Sequence, residues 1–129
     1  MKTVAGWVMT ANAAVFFFGG VQHAGVTVWR FHEPAIIPAA IVEAVCGLCL
    51  LWGAGALFRG GRTRWRTALI TNLVALGGIL LGVIALAVGA GPRTTSNDLY
   101  HQIMIGLIAA ALLLIWLGRR TALGTGGPR

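Results

Sequence analysis

Four apolar blocks, separated by short polar connections, leave this chain few ways to fold. A helix rises ~1.5 Å per residue, so roughly 20 apolar residues cross the hydrocarbon core of a bilayer. The pattern predicts helices over about 4–22, 34–58, 67–88 and 99–117. Only 10% of the 129 residues are charged, 57% are hydrophobic, and mean hydropathy is +0.83. A soluble domain covers itself with roughly a quarter charged residues, so lipid is the expected solvent. The expected fold class is all-α: a four-transmembrane-helix bundle over 1–120, then a flexible, Gly-rich tail over 121–129. The first block outruns the ~7–15-residue apolar core of a signal peptide and lacks an Ala-x-Ala-like cleavage site, so it reads as a mature helix.

The net charge of +7 does not point to nucleic acid. The arginines sit in connections between apolar blocks rather than in a stripe with interleaved aromatics. The positive-inside rule accounts for them. Arg59, Arg62, Arg64 and Arg66 crowd the second connection, and Arg119 and Arg120 follow the fourth block. Four crossings put both termini on one side. Together these place Lys2, the six arginines and Arg129 in the cytoplasm, leaving Arg30 and Arg93 outside, as for a multi-pass protein of the cytoplasmic membrane. Trp7 and Trp29 are natural interface anchors.

One acid interrupts the second block. Glu43 shares a helix face with Ala39, Ala40, Gly47 and Ala54, so it is expected to face other helices rather than lipid. With Pro34 in the first turn and Glu33 at the positive end of the dipole, Glu43 lies ~13–14 Å below the helix start. Ionisable groups inside membrane helices are expensive, which makes Glu43 a functional candidate. On the first helix Asn12, Phe16, Gly19 and His23 share a face that should look into the bundle. On the fourth, Ser96 or Asn97 can cap the N-terminus, with Asp98 and His101 in the first turns. The topology therefore collects His23, His101 and Asn12 around Glu43 as a ligand or proton pocket. His32, Glu33 and Asp98 form its outer rim, where helix starts and the headgroup region also explain them. Gly77, Gly78 and Gly82 suit close helix contact and mark the third helix as a face for other subunits or a second copy.

His and carboxylate suit a metal, and two histidines can hold haem, but no ligand spacing supports either. Cys46-Gly47-Leu48-Cys49 lies mid-helix, where a thiolate is costly, so both cysteines read as small hydrophobes. No nucleophile elbow, Walker loop or dinucleotide fingerprint is present.

Phe16-Phe17-Phe18-Gly19-Gly20-Val21-Gln22-His23 resembles the end of the first helix in DoxX-like membrane proteins, with His23 where Lys is usual. Val42-Glu43-Ala44-Val45-Cys46-Gly47 through Leu51-Trp52-Gly53 resembles that family's second helix, with Cys46-Gly47 replacing a double glycine, and the Arg-rich turn that follows is also similar. The resemblance covers the first half of the chain. It implies a four-helix protein that serves as a membrane subunit or accessory of redox systems, such as the membrane component of thiosulfate:quinone oxidoreductase. The expectation is a redox-associated subunit of a bacterial cytoplasmic membrane, with an outward-facing polar pocket for a quinone headgroup. A proton-coupled carrier of a small solute or metal, or a structural subunit of a larger complex, are the alternatives. No enzymatic reaction follows from these residues.

Overall fold

The structure, a computed structural model, describes residues 1–28 and 34–124, with side chains to 122. The expectations for Trp29, Arg30, His32, Glu33 and residues 125–129 lie outside the described residues. The chain forms α1 (Lys2–His23), α2 (Ile37–Arg59), α3 (Arg64–Ala87) and α4 (Thr95–Gly124). Each is long and apolar enough to cross a membrane, so this is a multi-pass membrane protein. Successive helices pack against one another and α4 returns to α1, closing the ring.

Steps of four and three residues run through every helix. Buried positions are Ala5, Met9, Asn12, Phe16, Gly19 and His23 on α1, and Glu43, Gly47, Leu50, Ala54 and Leu57 on α2. They are Ala68, Asn72, Ala75 and Ile79 on α3, and Asn97, His101, Met104, Ile108, Ala111 and Ile115 on α4. This alternation averages 3.5 residues, the repeat of a buried seam between packed helices. Outside the seam, Trp7, Ile41, Leu48, Trp52, Leu81 and Leu113 are exposed, as helices solvated by lipid require. Glycines on the seams receive large side chains from neighbours: Gly47 takes Phe17 and Gly118 takes Trp65.

Four helix ends differ from expectation. α2 begins at Ile37, not near Pro34, and Pro38 occupies its first turn. A helix begun at 34 would need the N–H that Pro38 lacks to bond the carbonyl of residue 34. The Ile36 N–H instead donates to the His23 carbonyl at 2.7 Å, tying the start of α2 to the end of α1. Glu43 is thus only about 9 Å from the helix start, shallower than expected. α4 is capped by Thr94, whose Oγ1 accepts the Asn97 N–H at 3.1 Å, not by Ser96 or Asn97. It also continues through Gly124, so 121–124 belong to its last turn rather than to a tail. Gly118, expected as a stop, serves instead as the notch for Trp65. α3 starts earlier than expected, at Arg64, after a turn in which Gly60 and Gly61 take φ of 83° and 93°.

Candidate functional site

The end of α1, the start of α2, the end of α3 and the start of α4 lie at one end of the bundle and enclose a cavity of 320 Å³. His23, Glu43, Asn97 and His101 line it, together with apolar side chains such as Phe16 and Ile79. These four polar groups are buried. Pro38 on α2 and Leu81 and Ala90 on α3 and beyond are exposed lining residues, so the cavity opens on the outer surface of the α2–α3 pair. The mouth is apolar and the floor polar.

The floor is built from seam positions. His23 is the last residue of α1. Its Nδ1 lies 2.8 Å from Glu43 Oε2. The other carboxylate oxygen occupies space left by Gly19. A Cβ there would stand 2.8 Å from Glu43 Oε1 and 2.7 Å from Tyr100 Oη. Tyr100 therefore reaches the same carboxyl from α4, its hydroxyl buried without a hydrogen bond of good geometry. Gly20 brings the α1 and α2 backbones together just beside it, its Cβ position 3.4 Å from the Ala40 carbonyl oxygen.

His101 is oriented by its own helix. Its Nδ1 donates to the Asn97 carbonyl at 2.8 Å, and since a carbonyl only accepts, the proton of the neutral ring resides on Nδ1. Nε2 is then an acceptor, pressed against Gly82, where any Cβ would collide with it. The Asn97 side chain is 5% exposed and its Oδ1 has no hydrogen-bond partner. Buried polar groups are ordinarily satisfied, so an open amide and an open imidazole nitrogen on one wall are what a polar ligand would complete.

Of the expected pocket residues, Glu43, His23 and His101 line one cavity. Asn12 does not. It is buried deeper in the bundle, where Nδ2 donates to the Leu107 carbonyl at 3.2 Å and ties α1 to α4. Asp98 lies in the first turn of α4 as expected, but on the surface, where Arg93 Nε donates to Oδ2 at 3.0 Å. Asn97 and Tyr100 were missed as site residues. Gly78 and Gly82 pack inside the bundle against Cys46 and His101, while Gly77 faces outward. Cys46 and Cys49 are free thiols, and no cluster of three metal-ligating side chains occurs among the described residues. The six topology arginines, Arg59 to Arg66 and Arg119 with Arg120, lie at the opposite end from the cavity.

Gly19, Gly20 and His23 of α1 thus meet Glu43 of α2 at the floor of the cavity. Compared with protein-family models, curated proteins and solved structures, the chain matches none.

Proposed function

We propose that this membrane protein is a redox-associated subunit that binds the headgroup of a lipid-soluble quinone or quinol at the cavity. The observation that carries the reading is the cavity's polarity: an apolar mouth on the lipid-facing side of α2 and α3 over a floor of Glu43, His23, His101 and Asn97. At 320 Å³ the cavity is at the small end for a ligand site. That size suits one substituted ring whose isoprenoid tail remains in the bilayer. The positive-inside rule puts the arginine end in the cytoplasm and this end outside, in a cytoplasmic membrane. The DoxX-like phrases point the same way.

Oxidising a quinol releases two protons and two electrons. His101 Nε2 takes one proton, and the Glu43 carboxylate, paired with His23, takes the other. The two electrons pass to the acceptor of a partner redox subunit. The bundle binds the ring, positions it and handles its protons.

The reading is tested by purifying the protein in mild detergent and measuring co-purified quinone against Glu43→Gln and His101→Ala. Loss of quinone in Glu43→Gln and about tenfold weaker retention in His101→Ala, with helicity retained, is the expected result. Unchanged content in Glu43→Gln removes that carboxyl from the account, and absence of any bound quinone from the native protein removes the function.

A further inference from the structure

The opposite end of the bundle holds a second cleft, of 350 Å³, between the α2–α3 turn and the end of α4. Arg62, Arg64, Arg66 and Arg119 line it around Trp65. We infer that this cleft is a specific site for the phosphate of an anionic phospholipid headgroup, a role beyond setting topology and independent of the quinone cavity at the far end.

Four arginines converge there, and no acidic side chain among the described residues meets them. Of the three acidic side chains in the sequence, Glu43 and Asp98 lie near the other end and Glu33 is outside the described residues; Glu43 and Asp98 form the ion pairs His23–Glu43 and Arg93–Asp98. Arg64 donates from Nη1 to the Gly61 carbonyl at 2.9 Å, which fixes its guanidinium over the turn, while its Nε is buried with no partner. The indole N–H of Trp65 is also buried and without a partner. Its ring is wedged into the Gly118 notch, so the N–H cannot simply swing to solvent.

Donors without acceptors in a positive cleft call for an anion with several oxygens. α3 adds to the demand. It begins at Arg64 with no side-chain cap and no acid in its first turn, leaving the positive end of its dipole and its first N–H groups open. A phosphodiester fits, because guanidinium forks match its non-bridging oxygens. Lipid is favoured over free phosphate by what lies next along the helices. Ile70 and Leu73 on α3, and Leu113, Trp116 and Leu117 on α4, are exposed and apolar, giving acyl chains a path from the cleft into the bilayer.

The test is native mass spectrometry of the detergent-solubilised protein titrated with phosphatidylglycerol or phosphatidylcholine. The native chain is expected to retain one phosphatidylglycerol and no phosphatidylcholine. Arg64→Gln/Arg119→Gln is expected to weaken retention about tenfold, the loss of two charge-assisted contacts. Arg120→Gln is the control, since Arg120 stacks on Trp116 at 3.8 Å and does not line the cleft. Should the double variant lose helicity, Arg119→Gln alone carries the comparison. Equal retention in the cleft variants, equal loss in Arg120→Gln, or no preference for the anionic lipid would each overturn the site. Displacement of the lipid by millimolar inorganic phosphate would overturn the choice of lipid as its ligand.

Discussion

His23 and Glu43, 20 residues apart in the chain, close the polar end of the α1–α2 interface. Nδ1 lies 2.8 Å from Oε2 and the two side chains are 6% and 8% exposed. A pair this buried is sustained by mutual attraction and by whatever else satisfies its remaining polar atoms. Removing His23 leaves the buried Glu43 carboxyl without its imidazole partner.

The pair is therefore expected to behave as a unit. His23→Gln and Glu43→Gln should each destabilise the bundle by roughly 1–3 kcal/mol, and the double variant by clearly less than the sum. Reversible unfolding in mixed detergent measures all three. Additive losses would mean that the two residues act separately, whatever their distance.

Gly19 and Gly77 offer an internal contrast on the packing side. A methyl at Gly19 meets Tyr100 Oη and Glu43 Oε1 at under 3 Å, whereas nothing lies within 4 Å of one at Gly77. Gly19→Ala should cost about 1–3 kcal/mol by overpacking and should displace the carboxyl. Gly77→Ala should be neutral, or stabilising by up to ~1 kcal/mol through helix propensity. Thermal melts of the two variants side by side decide it. A tolerated Gly19→Ala would show that the oxygens are not packed into that gap.

Much of this was legible beforehand because membrane helices are written in long apolar runs and because steps of four and three put His23 and Glu43 on inward faces. The placement of Asn12 failed for a geometric reason. It shares a face with His23, but about eleven residues separate them, or roughly 16 Å along the axis, so the two cannot line one headgroup-sized cavity. Asn97 was hidden by its own suitability as a cap. The signal that could have found it is the α4 seam, which runs from Asn97 through His101 and Met104 to Ile108 without a break. Tyr100 lies one position off that seam, and only the gap at Gly19 explains why its hydroxyl reaches the carboxyl. The start of α2 turned on which of two prolines the first turn accommodates, a choice that the missing N–H of Pro38 makes.

Asn12 should accordingly matter for stability and not for binding. Its Nδ2 joins α1 to the Leu107 carbonyl of α4, a contact among the few polar ties between those helices. Asn12→Ala is expected to lower stability by about 1 kcal/mol. Quinone affinity should stay within about twofold of the native value, because the site is too distant to couple. A large loss of affinity with unchanged stability would return Asn12 to the pocket.

The sharpest expectation concerns the direction of hydrogen bonding at His101. With Nδ1 committed to the Asn97 carbonyl, Nε2 of the neutral ring can only accept. A quinol hydroxyl can donate to it, and a quinol methyl ether cannot. The native protein should therefore prefer the free quinol over its O-methylated analogue by about tenfold, the worth of one hydrogen bond to a buried acceptor. In His101→Ala the acceptor is gone, so the preference should collapse while the apolar mouth still holds the tail. Competition binding with the two analogues, on native and variant protein, reads this directly. Equal discrimination by both proteins would mean that the hydroxyl is read elsewhere on the floor, with Glu43 as the remaining acceptor. Loss of all binding in His101→Ala, with helicity intact, would mean that the imidazole shapes the cavity rather than reading the hydroxyl.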